Sequence, residues 1–245
     1  MTTSPFRPVS IRNAFEAVIQ QIAATIDLGL LAPGDRLPAE RELAILLGVS
    51  RPTVREALRV LVISGYVAVR RGAVGGAFVL ERPPERSDRI RRALRARREE
   101  LLALLEWRRV IEAEAAALAA VRADEGQLRT LAARLIEAAA SLERDRSLLR
   151  WRGADSRFHI AVAEACGNPH LGDTVRSVRA QLAGALDVLI AEQAWEAEAA
   201  TGHLEILAAL QQRDPSAARS AALRHGQLTE ERLRAYLGDE RRSKG

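Results

Sequence analysis

The sequence predicts a mainly α-helical protein of two domains, an N-terminal winged helix-turn-helix domain followed by an all-helical bundle of six or seven helices. Two short helical patterns meet at a glycine within residues 36–64, and two short strand-like runs follow directly. A charged stretch with two prolines, 81–88, then precedes residues 90–237, in which we find no convincing strand pattern. The predicted domains are therefore 1–80 and 89–238, with a linker at 81–88 and a polar tail at 239–245.

The first predicted helix is marked by apolar residues at helical spacing. These residues are Ile11, Phe15, Val18, Ile22 and Ile26, and the pattern ends near Gly29. We expect this helix to pack its apolar face on the helix-turn-helix pair that follows.

The first helix of the pair is expected to start at Pro38, because the missing N–H of proline costs nothing at a first helical position. Leu43, Leu46 and Leu47 form its predicted apolar face. Gly48 can end this helix, since glycine readily takes the left-handed conformation that closes a helix.

The second helix of the pair is predicted to start after Ser50, whose hydroxyl can cap free N–H groups in the first turn. Its predicted apolar face consists of Val54, Leu58, Leu61 and Val62. The opposite face carries Arg51, Thr53, Arg55 and Arg59. Guanidinium groups near the start of such a helix suit guanine edges and phosphates in a DNA major groove. The alternative is an ordinary helical hairpin with a solvated arginine face.

A two-stranded wing is predicted next. Residues 66–70 and 77–80 have strand character, and the glycine-rich run RGAVGG joins them, with Arg70 and Arg71 at the tip. Such a hairpin can place cations along a neighbouring groove. The run is not a nucleotide-binding loop, because it lacks the Gly-Lys-Ser/Thr ending and precedes a strand instead of a helix.

Residues 37–67 and 70–79 together resemble the DNA-binding domain of the GntR superfamily of bacterial transcription regulators. The resemblance implies that Arg41 and Arg51 read bases. It also implies that Ser50, Thr53 and Arg55 hold phosphates. Gly72 matches the wing glycine that approaches the minor groove, and Arg71 beside it completes the predicted DNA-binding set.

Composition and charge narrow the class of protein. No stretch approaches 18 uninterrupted apolar residues and the N-terminal segment lacks a signal-peptide core, so we expect a cytoplasmic protein with no membrane partner. Residues 1–80 carry nine arginines against six acidic residues, and residues 81–100 carry eight against five. The excess positive charge thus lies in and beside the predicted DNA-binding domain. Cys166, the only cysteine, excludes an internal disulfide and a cysteine-based zinc cluster, and is predicted to be a buried thiol.

The C-terminal region contains a candidate metal site. Helices are predicted at 90–98, 99–121, 126–143, 147–166, 170–192, 195–212 and 215–237. Asp155 and His159 share one helix face, with their Cβ atoms roughly 6 Å apart, and His203 and His225 lie beside apolar stripes on two later helices. Three neutral imidazoles and a carboxylate suit a divalent ion, with zinc as the first choice and nickel, manganese or iron as alternatives. Each histidine alone also fits a hydrogen-bonded core residue.

Residues 107–120, 155–171 and 203–225 resemble the FCD effector domain of FadR-like GntR regulators. The resemblance implies an Asp and three His as metal ligands, which fall on Asp155, His159, His203 and His225. It also implies that Arg108 pairs with an effector carboxylate, since a guanidinium can bond both oxygens. We expect Asn168 to support a helix junction instead of contacting the effector.

Three functions compete at this point. The leading hypothesis is a homodimeric regulator that binds a short palindromic operator in double-stranded DNA and responds to a small carboxylic-acid effector at the metal site. The second is a metal-dependent hydrolase or lyase with a tethering winged domain. For that function, we find no convincing general base beside the candidate ligands, although the sequence does not exclude Glu164 as one. The third is an effector-independent DNA-binding protein with a structural metal.

Overall fold

The computed structural model of the chain describes residues 14–72, 75–81, 88–145, 148–190 and 193–238. Contacts divide the chain into two compact units, one of residues 1–26 and 33–82 and one of residues 27–32 and 83–245. The predicted tail, most of the predicted linker and Ile11 lie outside the described residues.

The described part of the first unit contains three helices and a two-stranded sheet. Its elements are α1 (Ala14–Asp27), α2 (Glu40–Leu47), α3 (Arg51–Ile63), β1 (Val67–Arg70) and β2 (Gly76–Val79). Helix α1 buries Val18, Ile22 and Ile26, as its apolar spacing predicts.

The turn between α2 and α3 has the predicted geometry. Gly48 has φ +64°, in the left-handed region, and the N–H of Val49 donates to the carbonyl of Ala44 at 3.0 Å. Ser50 then caps α3, because its hydroxyl oxygen accepts a hydrogen bond from the N–H of Thr53 at 3.3 Å. Local chemistry therefore sets the angle at which the chain enters α3.

Two details of this predicted helix pair are wrong. Helix α2 begins at Glu40 and not at Pro38, because Leu37 is still extended and donates its N–H to the carbonyl of Ala77. Leu46 is 67% exposed and Val62 is 39% exposed, although both were predicted on the buried faces. The buried faces instead include two alanines, Ala44 in α2 and Ala57 in α3.

The wing is an antiparallel hairpin in which Val67 pairs with Val79 and Arg70 pairs with Gly76. A short extended segment before α2 joins β2 from its other side, since the N–H of Val79 donates to the carbonyl of Asp35 at 2.9 Å. This additional pairing, which the sequence pattern did not indicate, attaches the wing to the chain that leads into α2.

The second unit contains seven helices in its described part, the larger of the two predicted numbers. They are α4 (Asp88–Ala96), α5 (Arg98–Arg122), α6 (Glu125–Asp145), α7 (Leu148–Ala165), α8 (Pro169–Ile190), α9 (Gln193–Gln211) and α10 (Pro215–Gly238). Helix α5 contacts α7, α8, α9 and α10, and is the central helix of the bundle.

Small residues let α10 approach α5 closely. Helix α5 buries a series of alanines, namely Ala113, Ala115, Ala116, Ala117, Ala119 and Ala120. A Cβ at Gly226 of α10 would lie 3.0 Å from the Cγ of Arg109 on α5, so glycine relieves a tight contact at this point. The close packing brings the buried polar residues of α5 and α10 to the same level of the bundle.

Two further predictions about the bundle are confirmed. Cys166 is fully buried. The side-chain oxygen of Asn168 accepts hydrogen bonds from the N–H groups of His170 and Leu171, at 3.1 and 3.4 Å, and so supports the start of α8.

Within the described residues, no helix is long and apolar enough to cross a membrane.

Candidate DNA-binding surface and metal centre

The exposed face of the helix-turn-helix carries most of the residues predicted to contact DNA. Arg41 lies on α2, and Arg51 and Arg55 lie in the first two turns of α3, all three exposed. Arg51 directly follows the cap residue Ser50, so its guanidinium extends from the N-terminal end of α3. That end is the part of a recognition helix that enters the major groove in helix-turn-helix proteins.

Arg55 has a partner that the sequence analysis missed. Its guanidinium donates to both carboxylate oxygens of Glu40, with Nη2 to Oε2 at 2.9 Å and Nε to Oε1 at 3.3 Å. The hydrogen bond from Arg55 lowers the pKa of Glu40. The pair joins the first turn of α2 to α3, so Arg55 has a structural contact in addition to its predicted phosphate contact.

The hydroxyls of Ser50 and Thr53 lie 2.8 Å apart at the start of α3. Both residues therefore belong to the helix cap, and the predicted phosphate contacts would be made from this cap. A phosphate next to a helix N-terminus is favoured because free N–H groups and the helix dipole both attract negative charge.

The wing presents the remaining predicted residues. Arg71 and Gly72 are exposed where β1 ends, and Gly72 has φ +111°, a conformation that suits glycine. The guanidinium of Arg70 lies 4.5 Å from the centre of the Phe78 ring, and this stacking orients it along the hairpin. Residues 73 and 74 at the tip lie outside the described residues.

The metal-ligand candidates of the second unit converge. They come from α7, α9 and α10, and their ligand atoms all lie within 4.8 Å of one another: Asp155, His159, His203 and His225. Nε2 of His203 lies 3.1 Å from Nε2 of His159 and 3.0 Å from Oδ1 of Asp155. Ligand atoms around a tetrahedral zinc ion lie about 3.3 to 3.5 Å apart. The packing of three helices brings together residues that lie up to 70 positions apart in the sequence.

The centre is buried and its donor set fits a metal ion. The three histidines are between 3% and 5% exposed. Within the described part of the chain, Nδ1 of His225 is buried without a hydrogen-bond partner, which is costly for a polar atom. Three imidazoles and one carboxylate form a donor set that zinc and similar divalent ions accept.

The protonation states also suit metal binding. Burial, reinforced by the charge of Arg179, holds the pKa of His159 well below its usual value. Burial and the charges of His203 and Arg108 lower the pKa of His225 to about 3. Both imidazoles are therefore neutral at pH 7 and have a lone pair available for a metal ion.

Two buried arginines and one buried glutamate surround the ligands. Glu112 accepts hydrogen bonds from Nε of Arg108 at 3.0 Å and from Nη1 of Arg179 at 2.9 Å. Burial alone would raise the pKa of Glu112, but these two arginines lower it to about 2. Burial acts in the same direction on Asp155, but the charge of Arg179 and the hydrogen bond from His203 together hold that pKa well below its usual value. Both carboxylates are thus ionised.

Arg108 is buried at the centre of the bundle and is already paired with Glu112. Its predicted contact with an effector stays a prediction. Arg108 is 2% exposed and lies one helical turn before Glu112 on α5. An effector carboxylate would therefore have to share Arg108 with Glu112. Sequence reasoning missed Glu112 and Arg179. The signals were an Arg-Glu pair four residues apart and an arginine within the apolar spacing of Val175 and Leu182.

Comparison with known proteins connects both units to one family. The model for bacterial regulatory proteins of the gntR family matches residues 14–79, and the FCD domain model matches residues 103–228. RmpR of Mycobacterium gastri, an HTH-type transcriptional regulator by name, is 34% identical over 242 residues, covering 91% of this chain and 83% of that protein. This chain belongs to the GntR family. The Uxu operon transcriptional regulator of Escherichia coli K12 is 35% identical over 213 residues, covering 82% of this chain and 79% of the relative.

The fold of this GntR-family chain also occurs in a solved structure. Escherichia coli McbR/YncC aligns with a TM-score of 0.56 at 22% identity, over 91% of this chain and 98% of the solved one. At this identity the likeness concerns the fold alone.

Family membership decides between the classes of function. The GntR-family chain is a DNA-binding transcription regulator and not an enzyme, since the family and these relatives are regulators. The hydrolase or lyase alternative also loses its candidate base. Glu164 is paired with Arg176 at 2.7 Å and its side chain is 57% exposed, whereas the three histidines are buried and Asp155 is partly buried.

A glycine of the GntR-family chain makes room for one ligand. A Cβ at Gly202 would lie 2.5 Å from Nδ1 of His225. Gly202→Ala should therefore displace the His225 ring and weaken zinc retention by about tenfold or more. Gly184→Ala is the matched control, because a Cβ at Gly184 of α8 meets nothing within 4 Å. Zinc content of the two purified variants by mass spectrometry checks this, and equal zinc retention in both would contradict the role of Gly202.

Proposed function

We propose that this regulator is a homodimer whose affinity for a short palindromic operator is set by a small carboxylate effector bound at a divalent metal ion, with zinc as the first choice. One observation carries the proposal: four residues with metal-binding atoms converge in a buried centre that also contains Arg108. The regulatory function of the family explains why a DNA-binding protein would contain such a centre.

The ligands in this proposal are the converging residues Asp155, His159, His203 and His225. The bound ion would supply Lewis-acid attraction for a carboxylate oxygen, as divalent ions with open coordination positions do. Arg108 would bond the same effector through its guanidinium, which also donates a hydrogen bond to Glu112. Metal binding and effector binding therefore depend on different side chains and can be separated by mutation.

The packing around the centre supports a coupling between effector binding and conformation. The cavity beside Glu112 and His159 has a volume of about 10 Å³, and its other lining residues are small or apolar. This volume accommodates about one water molecule. A carboxylic acid is larger, so its binding has to move helices apart, and a movement of α5 or α10 is a change that the rest of the protein can respond to.

The DNA part of the proposal assigns roles to the exposed residues of the first unit. Arg41 and Arg51 would read bases, and Arg71 and Gly72 of the wing would contact the neighbouring groove. The phosphate contacts would come from the cap and the next turn of α3, that is from Ser50, Thr53 and Arg55. One recognition helix reads only a few base pairs, so two copies related by a twofold axis are needed for specificity.

The experiment follows DNA release by candidate acids. An operator is first selected from random DNA with the wild-type protein, and acids such as L-lactate, succinate and citrate are then titrated into the zinc-loaded complex. We expect at least one acid to release DNA from the zinc-loaded protein and not from the chelated protein. Arg108→Ala should keep zinc and operator binding but lose the release. Fluorescence anisotropy of labelled operator measures each state.

Two outcomes would contradict the proposal. Release from chelated protein would show that the metal is not part of the response. If no small acid releases DNA from the zinc-loaded protein, the effector-independent regulator with a structural metal becomes the better hypothesis.

A further inference from the structure

Arg179 bridges two carboxylates at the centre of the bundle. It lies on α8, which provides none of the four candidate ligands, and its side chain is 2% exposed. One of its terminal nitrogens, Nη1, donates to Oε1 of Glu112 at 2.9 Å, and the other, Nη2, donates to Oδ2 of Asp155. The planar fork of a guanidinium can bond two carboxylates at once, whereas a lysine ammonium cannot hold both in a fixed orientation.

The bond to Asp155 determines which carboxylate oxygen faces the histidines. Arg179 binds Oδ2, and the other oxygen, Oδ1, lies 3.0 Å from Nε2 of His203 and 3.7 Å from Nε2 of His159. An aspartate without this anchor could rotate about its terminal torsion, which is soft. Arg179 therefore holds Oδ1 toward the imidazoles.

Glu112 lies beside a second candidate ligand, His159, as Arg179 lies beside Asp155. Its Oε2 lies 3.3 Å from Nδ1 of His159. A carboxylate next to Nδ1 favours the tautomer that is protonated there, which leaves the lone pair of Nε2 for a ligand role. Glu112 is in turn held by Arg179, so one guanidinium supports the orientation of two candidate ligands on α7.

The burial of these charges supports a specific role. Buried ion pairs contribute little net stability, because the cost of removing both charges from water offsets their attraction. Within the described residues, the side chains of Arg179 and Glu112 bond other side chains and no backbone group. Each contacts one candidate ligand, Arg179 the carboxylate of Asp155 and Glu112 the ring of His159.

We propose that Arg179 and Glu112 are positioning residues of the metal centre, in which Arg179 orients Asp155 and Glu112 orients His159 without either residue binding the ion. This inference rests on the metal-binding part of the proposed function. It assigns the two residues a role in metal affinity and coordination geometry that is separate from effector recognition by Arg108.

The test compares Arg179→Lys with Arg108→Lys. The two arginines are matched, since both are 2% exposed and both bond Glu112, but only Arg179 contacts a candidate ligand. Zinc affinity is measured in the full chain by competition with a chelating dye, and cobalt(II) is then substituted so that its visible spectrum reports the coordination geometry. Circular dichroism of the metal-free variants checks that both are folded.

We expect Arg179→Lys to weaken zinc binding by about 10- to 100-fold and to change the cobalt spectrum. Arg108→Lys should weaken zinc binding less than Arg179→Lys, because Arg108 bonds Glu112 but no candidate ligand. Equal affinity and an unchanged spectrum in folded Arg179→Lys would overturn the inference, as would an equal loss in both variants. A wild-type chain that binds no zinc would overturn the inference and the metal-binding proposal together.

A second measurement does not depend on the folding of a variant. Long-range ¹H–¹⁵N spectra of the histidine side chains in zinc-loaded wild type should show His159 protonated at Nδ1 and bound through Nε2. Binding through Nδ1 would overturn the role of Glu112 while leaving metal binding itself intact. The two proposals can thus fail separately.

Discussion

Arg51→Ala is expected to abolish specific operator binding while leaving the protein folded. A lost bidentate contact to guanine costs about 1–3 kcal/mol, and a dimer loses it in both half-sites, so affinity should fall roughly 30- to 25,000-fold. The exposed position of Arg51 directly after the α3 cap makes a folding defect unexpected. Anisotropy titrations with the selected operator and with a scrambled sequence measure both affinity and specificity.

A charge-preserving variant separates base reading from attraction to phosphates. Arg51→Lys should keep salt-dependent binding to any DNA but lose most of the preference for the operator, since an ammonium cannot reproduce the bidentate contact. Arg219→Ala is the surface control, because Arg219 is exposed in the bundle and paired with Glu114. Wild-type affinity and sequence preference in Arg51→Ala would remove this residue from the reading surface. Binding as one chain per operator would contradict the dimer.

Removing the metal is expected to have the largest effect on stability. An ion present at about 1,000 times its Kd stabilises the folded state by about 4 kcal/mol, because it binds the assembled ligands and not the dispersed ones of the unfolded chain. For a domain of the size of the second unit, this corresponds to a fall in Tm of roughly 8–16 °C on chelation. The change should be absent in His203→Ala, which has lost one of the four ligands.

Comparing the Tm of each variant with and without chelator separates the effect of metal loss from the effect of lost packing. His203→Ala also deletes a buried ring whose centre lies 4.9 Å from that of Phe158, so its metal-free Tm can differ from the wild type. Leu204→Ala, a change at the next position of α9 with 59% exposure, is the matched control and should respond to chelation like the wild type. Differential scanning fluorimetry and metal analysis by mass spectrometry measure both quantities. If His203→Ala retains one metal ion per chain, the histidines are core residues and the coordination model is wrong.

Local sequence was enough to predict the elements of the DNA-binding unit. Gly48 ends α2, Ser50 caps α3, and the two strands of the wing pair across a glycine-rich turn. These features depend on backbone conformations and hydrogen bonds within a few residues, which the residue types themselves specify. The four-residue spacing of Asp155 and His159 similarly required only that their segment be helical.

Side-chain exposure at the helix pair was decided by packing. Leu46 and Val62 follow the apolar spacing of α2 and α3 but are exposed, because only part of an apolar stripe faces the neighbouring helix. The ion pair between Arg55 and Glu40 joins residues 15 positions apart, and no local pattern indicates which acid an exposed arginine will meet.

At the centre of the bundle, too, some features followed from the sequence and others were decided by packing. The sequence indicated which histidines could bind a metal ion, since the chain contains only four of them. Only the tertiary structure decided that α5 and α8 bring Glu112 and Arg179 against the candidate ligands, with Arg108 bonded to Glu112. The rotation and crossing of each helix select which of its residues face the interior, and these quantities depend on the packing of all the helices together.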